Sequence, residues 1–244
     1  MPFINSETEI LMNTDIADNL ERINSKIESI CRSCNRSPSE VMLVAIGKMK
    51  PAEDIQMALE AGQVEFGENK VQELTRKMEE LPDERISWHM VGQLQTNKIK
   101  YMVDRVNWIQ SVARKKALDE IEKRAAAVER QINVLIQVNI SGEDQKSGCP
   151  PEELSALLES ASNLKYVKVR GLMGIATLTE DREQIRSEFA LLRKLRDEFK
   201  DNYEDPITLE HLSMGMTHDM DIAIEEGATM VRVGTAIFGK RDYQ

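Results

Sequence analysis

Eight apolar runs of strand length recur along the chain, and their regular spacing constrains the fold more than any other feature. Several of them are apolar at nearly every position instead of alternating with polar residues, which is typical of parallel strands covered by helices on both faces. The sequence therefore predicts a parallel sheet. The runs begin at Val41, Val64, Ile86, Val106, Ile132, Val167, Ile207 and Met230.

Segments of helical character separate these runs and are long enough to connect one strand to the next. They begin at Pro51, Lys115, Pro151 and Asp181, and the two prolines suit a first helical position. Strands and helices alternate without a Pro- or Gly-rich linker, which favours a single α/β domain over residues 1–244. Eight repeats predict a closed (β/α)8 barrel of the TIM type. A doubly wound open sheet stays the alternative, because periodicity does not show whether the first and last strands pair.

An additional amphipathic helix is predicted over residues 7–34, ahead of the first strand. Leu20, Ile23, Ile27 and Ile30 recur there at helical spacing. We expect this apolar face to pack against the barrel.

Three cysteines are present, of which Cys31 and Cys34 form a CxxC pair. An odd number of cysteines in a long chain makes a poor disulfide framework and fits a reducing compartment. No second cysteine pair or histidine pair completes a zinc set, so we expect no metal site. Packing is the simpler interpretation of Cys31 and Cys34, and a redox role stays open.

The charge of the chain argues against several classes of partner. A formal net charge of -10 and a pI near 5.0 disfavour nonspecific attraction to nucleic acid or anionic membranes, which both reward a basic surface. The N-terminus lacks a basic region followed by an apolar one, and no apolar run approaches the roughly 18 residues of a membrane span. We therefore expect a cytoplasmic protein in which a phosphorylated ligand needs a local site.

Lys48 follows the first apolar run and shares one face of that predicted strand with Val44 and Ile46. A charged amine at the end of a buried strand needs a partner or a function. In barrels of this type, functional groups gather where the strands end. An ion pair or a solvent-directed side chain would explain Lys48, and so would a nucleophilic amine that forms a Schiff base.

Two small polar loops follow the last two predicted strands. The first contains Ser213, Gly215 and Thr217, and the second contains Gly234 and Thr235. Phosphate sites in barrels frequently use the loops after strands seven and eight. Turn formation and helix capping would explain one such loop. Two of them together predict a phosphate site.

Arg232 lies two residues before Gly234, so both should point to the same side of the eighth strand. A buried guanidinium requires an acceptor, and either a carboxylate or a pyridine nitrogen would serve. Bonding to the pyridine would leave that nitrogen unprotonated and weaken the ring as an electron sink. Asn69 also follows a predicted strand and is assigned to the ligand, whereas His89 and His211 are interpreted as structural.

Seven stretches resemble the pyridoxal phosphate homeostasis proteins, also called the proline synthetase co-transcribed group, over nearly the whole chain. This resemblance implies the barrel shared with the N-terminal domain of alanine racemase. It also implies a pyridoxal 5'-phosphate Schiff base on the first lysine of the K-x-K-P segment, here Lys48, and a phosphate site at the two C-terminal loops. The stretches are VAIGKMKP from Val44, FGENKVQE from Phe66, WHMVGQLQTNK from Trp88, QVNISGEDQKSG from Gln137, GLMGIATL from Gly171, LSMGMTHDMDIAIEEGAT from Leu212 and VRVGTAIFGKRDY from Val231.

The chain departs from the usual family pattern at four positions. Gly47 and Met49 stand where Ser and Thr are usual, Lys70 replaces a Tyr, and Ala113 replaces an Asp. These changes alter the polarity expected around the ring and leave the proposed lysine in place. The residues carried over as cofactor-binding are Lys48, Asn69, Ser213, Gly215, Thr217, Arg232, Gly234 and Thr235.

Three functions compete on this sequence. The first is a monomeric vitamin B6 homeostasis protein that holds pyridoxal phosphate, with cofactor-dependent apoenzymes as candidate partners and no catalytic residue. The second is an amino-acid racemase, which needs an opposing base; in alanine racemase, as the resemblance implies, a separate C-terminal domain of the partner subunit supplies it. Lys50, His89 and Tyr243 are unspecific candidates for that base. A phosphosugar enzyme is the third, and it explains only the phosphate loops.

Overall fold

The computed structural model describes residues 6–143 and 147–239. Eight parallel strands form a closed barrel in chain order. β1 pairs with β8 in parallel, with Val44 opposite Arg232, so the predicted closure is confirmed and the open sheet is excluded. The strands are β1 (Met42–Ile46), β2 (Glu65–Glu68), β3 (Ser87–Met90), β4 (Trp108–Val112), β5 (Ile132–Gln137), β6 (Val167–Met173), β7 (Ile207–Ser213) and β8 (Met230–Val233).

Helices connect the strands and cover the outside of the barrel. The connection between β3 and β4 contains a 3-10 helix, Thr96–Tyr101, in place of an α-helix. Pro51 precedes its helix in an extended conformation instead of occupying the predicted first position, whereas Pro151 begins a 3-10 helix, Pro151–Glu153. The α-helices are α1 (Ser6–Ser33), α2 (Ala52–Glu60), α3 (Val71–Glu80), α4 (Lys115–Ala127), α5 (Leu154–Ala161), α6 (Arg182–Phe199), α7 (Met220–Glu225) and α8 (Thr235–Phe238).

The additional N-terminal helix is confirmed as α1. Its Leu20, Ile23 and Ile27 are buried, and the helix packs against α2, α7 and α8. The amide of Asn19 donates a 2.9 Å hydrogen bond to the carbonyl of Ile237. Helix α1 therefore covers the helices that flank the β8–β1 closure.

Cys31 and Cys149 are buried, Cys34 is half-buried, and all three are free thiols. Burial raises the pKa of the Cys31 thiol, and it raises that of Cys149 to about 12. A raised pKa lowers the thiolate fraction and with it the reactivity of the sulfur. Burial and the raised pKa of Cys31 therefore favour packing over redox chemistry for this cysteine.

Within the described residues, no helix combines the length and the apolar character needed to cross a membrane. The same part of the chain places no three His, Cys, Asp or Glu side chains where they could hold a metal ion together.

Candidate functional site

A cavity of about 300 Å³ opens at the carboxyl ends of the strands, where barrel enzymes place their chemistry. Six of the eight residues predicted from the sequence line it: Lys48, Asn69, Thr217, Arg232, Gly234 and Thr235. Its volume lies at the small end of the range of ligand pockets, about 300–1,000 Å³. A small cofactor is therefore the kind of ligand that it can hold.

A larger cavity of about 450 Å³ lies where β3 and β4 begin, beside Ile86, Trp88 and Asn107. Its polar lining includes Asp83 and Arg130, and no lysine is among the described residues that line it. This end of a barrel serves stability more than chemistry. We therefore place the functional site in the cavity that contains Lys48, despite its smaller volume.

Lys48 is half-buried and occupies a tight turn immediately after β1. The N–H of Lys50 donates a 2.9 Å hydrogen bond to the carbonyl of Gly47, which closes the turn. Met49 lies between them and has a φ of 61°. This is the left-handed backbone region, which residues other than glycine seldom adopt. The turn therefore directs Lys48 to the cavity while the chain leaves the barrel.

The two neighbouring lysines lie elsewhere. Lys50 lines a separate cavity beside α1 and α2, together with Pro51 and Asp54. The side chain of Lys70 is 66% exposed, with its ammonium 3.9 Å from the carboxylate of Glu73. Among these three lysines, all in the described part of the chain, Lys48 is the one whose side chain lines the site.

Charged side chains from β2 and α3 hold the Lys48 turn. The ammonium of Lys77 donates a 2.6 Å hydrogen bond to the carbonyl of Gly47 and forms a fully buried ion pair with Glu68. The carboxylate of Glu73 accepts a 2.8 Å hydrogen bond from the N–H of Met49. Burial raises the pKa of Glu68, and the ammonium of Lys77 opposes that shift. The turn is thus anchored on both sides of Lys48.

The packing around Gly47 explains why a glycine occupies this position. A Cβ atom added there would lie 2.6 Å from Cδ1 of Ile55 and 2.9 Å from Oε1 of Glu68. A serine would therefore require Ile55 to move and would crowd the ion pair of Glu68 with Lys77. In this chain the glycine leaves room for that pair.

The two predicted phosphate loops divide into exposed and buried positions. Thr217 and Thr235 are exposed and line the cavity with Gly234. Gly215 is buried with a φ of 91°, and a Cβ there would lie 2.4 Å from Cβ of Ala223, so its role is in the backbone turn. Ser213 is fully buried and does not line the cavity. The structure thus places three of the five loop residues at the cavity and two outside it.

Arg232 is 5% exposed and points from β8 to the cavity. Its guanidinium donates to the hydroxyl of Ser213 at 2.6 Å and to the carbonyl of Gly174 at 3.0 Å. Burial lowers its pKa to about 10, partly opposed by the charge of Asp219. Arg232 therefore remains a cation near neutral pH, and no carboxylate in the described residues forms an ion pair with it.

Two of the candidate opposing bases of a racemase, Lys50 and His89, do not line the cavity that contains Lys48. His89 is buried inside the barrel, where it stacks on Trp108 with ring centres 5.6 Å apart. His211 contacts the hydroxyl of Thr229 at 3.2 Å. Burial lowers the pKa of both imidazoles. Neither histidine lines the cavity, and Tyr243 lies outside the described residues.

The structure adds lining residues that sequence reasoning missed. His218 is exposed at the cavity, next to Thr217, and its place in the same loop was the available signal. The apolar walls have no local signal, because similar residues occur throughout the core. These walls consist of Ile46, Val91, Met173, Ile175 and Met216.

Apolar walls, a cation, two hydroxyls and a half-buried amine meet in one small cavity. This donor set fits pyridoxal 5'-phosphate: the apolar side chains suit the ring, Arg232 suits a nitrogen acceptor, and Thr217 and Thr235 suit a phosphate. The amine of Lys48 can condense with an aldehyde.

The family model described as alanine racemase, N-terminal domain, matches residues 19–242. A pyridoxal phosphate homeostasis protein of Aquifex aeolicus is 44% identical over 93% of this chain and 98% of its own length. The protein of the same name from Escherichia coli is 39% identical over 94% of this chain and 98% of its own. Sequence similarity therefore extends over almost the whole barrel.

Solved structures agree with this similarity. A protein from Bifidobacterium adolescentis covers 98% of both chains at 35% identity, with a TM-score of 0.88. PipY of Synechococcus elongatus with pyridoxal phosphate bound covers 92% of this chain and all of its own at 35% identity, with a TM-score of 0.80. Alanine racemase of Clostridium difficile, at 12% identity and a TM-score of 0.72, shares the fold over 57% of its own chain. The chain belongs to the pyridoxal phosphate homeostasis protein family, with the barrel of the alanine racemase N-terminal domain.

Proposed function

We propose that this protein binds pyridoxal 5'-phosphate as a Schiff base on Lys48 and maintains the intracellular supply of that cofactor. The observation behind the proposal is the cavity in which Lys48 meets Arg232, Thr217 and Thr235. The names of the relatives and the ligand in the PipY structure support it. We further propose that residues 1–244 form one cytoplasmic, monomeric domain and that apoenzymes are its partners.

Each lining residue has a distinct task in this proposal. The hydroxyls of Thr217 and Thr235 bind the phosphate, where the backbone at Gly234 allows close approach, and Asn69 contacts the ring substituents. The aldehyde carbon of the cofactor supplies the electrophile, and its oxygen leaves as water when the amine of Lys48 condenses with it. Arg232 donates to the ring nitrogen and keeps it unprotonated.

The chemistry of Arg232 supports a carrier role. A pyridine nitrogen that only accepts a hydrogen bond withdraws electrons weakly, so carbanion chemistry on the ring is poorly supported. We propose that the bound cofactor is held reversibly and released to apoenzymes instead of turning over substrate.

Racemisation is the second candidate, and one observation favours it. His218 is exposed at the cavity that contains Lys48, so the site holds an imidazole that sequence reasoning did not consider as an opposing base. A phosphosugar enzyme would need the phosphate loops and would have no use for the amine of Lys48.

Cofactor uptake tests the proposed function. Purified protein titrated with pyridoxal 5'-phosphate should develop a visible imine absorbance that borohydride removes. Addition of an apoenzyme should then restore the activity of that enzyme as the absorbance declines. Pyridoxine 5'-phosphate, which lacks the aldehyde, is the matched control and should give no band. Absence of the band at saturating aldehyde would reject the proposal.

A further inference from the structure

A continuous chain of hydrogen bonds crosses the barrel interior from the cavity to the start of β2. The guanidinium of Arg232 contacts the hydroxyl of Ser213 at 2.6 Å, and that hydroxyl contacts Oε1 of Gln110 at 2.6 Å. Nε2 of Gln110 lies 2.8 Å from Nδ1 of His89, and Nε2 of His89 lies 2.7 Å from the carboxylate of Glu65. Four strands, β2, β3, β4 and β7, supply the links that lead from the carboxylate to Arg232 on β8.

The donor capacity of the groups fixes the direction of this chain. A guanidinium only donates, so the Ser213 hydroxyl accepts from Arg232 and is free to donate to the Gln110 carbonyl oxygen. The Gln110 amide then donates to Nδ1 of His89, which leaves the His89 proton on Nε2, facing the Glu65 carboxylate. If the Gln110 amide were flipped, its oxygen would face Nδ1 of His89, which would then carry a proton. Nε2 would either be protonated as well, which makes the imidazole charged, or direct a lone pair at the Glu65 carboxylate.

The charges at the two ends agree with this direction. Burial alone would raise the pKa of Glu65, but the pKa is lowered, with hydrogen bonds from the side chains of His89 and Ser87 acting against the burial. Burial lowers the pKa of His89, which favours the neutral imidazole that the chain requires. An anion thus terminates one end of the chain and the Arg232 cation terminates the other.

We infer that Ser213, Gln110 and His89 are positioning residues. They hold the guanidinium of Arg232 in the orientation in which it can donate to a ligand in the cavity. Ser213 is fully buried and does not line the cavity, so it acts through Arg232 and does not bind the phosphate. The identity of the ligand rests on the proposed function. The proton arrangement in the chain of hydrogen bonds does not depend on which ligand is bound.

The first test uses the protein without ligand. Long-range ¹H–¹⁵N correlation spectra should show His89 neutral near pH 7, with its proton on Nε2. In Gln110→Met, which removes the amide and keeps the length of the side chain, the Nδ1 resonance of His89 should move toward the value of an unbonded nitrogen. A charged imidazole, or a proton on Nδ1, in the unmutated protein would overturn the inferred direction.

The second test measures the ring nitrogen of bound pyridoxal 5'-phosphate labelled with ¹⁵N. A nearby cation lowers the pKa of a neighbouring base. Gln110→Met and Ser213→Ala should therefore raise the pH at which the ring nitrogen takes up a proton, and weaken affinity by about three- to tenfold. Gln137→Met is the matched control, because the Gln137 amide is also buried but donates to the carbonyl of Ser147, which is not part of this chain of hydrogen bonds.

The outcomes separate this inference from the proposed function. If the unmutated protein fails to bind the aldehyde, the proposed function is rejected. The NMR measurement on His89 then still tests the direction of the chain of hydrogen bonds. Normal binding with an unchanged titration of the ring nitrogen in folded Ser213→Ala would overturn the positioning role. An equal shift in Gln137→Met would also overturn it, because packing alone would then account for the effect.

Discussion

The ammonium of Lys77 donates a 2.6 Å hydrogen bond to the carbonyl of Gly47, the residue immediately before Lys48. Lys77 also forms a fully buried ion pair with Glu68, whose second carboxylate oxygen has no hydrogen-bond partner in the described residues. A buried pair of this kind contributes little net stability but is costly to break. Its location indicates that it holds the Lys48 turn.

Breaking the Lys77–Glu68 pair tests this role. Lys77→Met should lower the unfolding free energy by about 3–5 kcal/mol, because it leaves a buried carboxylate without a counterion. The double variant Lys77→Met with Glu68→Leu removes both charges and should recover much of that loss, yet take up pyridoxal phosphate more weakly because the Gly47 carbonyl is no longer held. Urea unfolding and imine absorbance give the two values. Normal cofactor uptake by the double variant would mean that the pair does not serve Lys48.

The phosphate loops can be tested by comparing two forms of the ligand. Thr217→Val and Thr235→Val should each weaken the binding of pyridoxal 5'-phosphate about tenfold more than the binding of pyridoxal. Only the phosphorylated form loses charge-assisted hydrogen bonds in these variants. Thr208→Val is the matched control, since the Thr208 hydroxyl is buried and has no hydrogen-bond partner in the described residues. Equal losses for both ligands in calorimetric titration would place the phosphate elsewhere.

Proton exchange distinguishes a carrier from a racemase. Cofactor-loaded protein mixed with L-alanine in deuterium oxide should show little exchange of the α-proton, because Arg232 leaves the ring a weak electron sink. Proton NMR measures the exchange. Rapid, saturable exchange with inversion, abolished by His218→Gln, would establish the second candidate instead.

The pH dependence of stability tests the buried imidazoles. Burial lowers the pKa of His89 and His211 in the folded protein, so between those values and about 6.5 the unfolded chain binds more protons. The unfolding free energy should therefore fall as pH decreases below about 6.5, by at most about 1.4 kcal/mol per pH unit for each histidine. Urea unfolding should show a shallower slope in His89→Gln. An unchanged slope in that variant would contradict a lowered pKa.

The strand pattern of the sequence was sufficient to predict the barrel, because apolar runs such as Met42–Ile46 and Ile132–Gln137 are buried on both faces. Lys48 and Arg232 could be assigned to the site, because the apolar runs show where each strand ends and side chains alternate between the two faces of a strand. The sequence-predicted residues that line the cavity are therefore those at the ends of strands or in the loops immediately after them.

Ser213 shows where such reasoning fails. A small hydroxyl beside a loop suits a phosphate, but Ser213 is the last residue of β7 and its side chain lies inside the barrel. The chain from Glu65 through His89 and Gln110 joins residues that are distant in sequence. Polar side chains within apolar runs were its only signal, because a buried polar group requires a partner that sequence alone does not identify.

The central claim is that Lys48, and neither Lys50 nor Lys70, forms the Schiff base. Borohydride reduction of the loaded protein, followed by peptide mass spectrometry, tests this claim most directly. We predict a reduced adduct on Lys48 and loss of the imine band in a folded Lys48→Ala variant, whereas Lys50→Ala and Lys70→Ala should keep both the adduct and the band. Residual noncovalent binding by Lys48→Ala is expected, because Arg232 and the phosphate loops remain. An adduct confined to Lys50 or Lys70, with a normal imine in Lys48→Ala, would contradict the account.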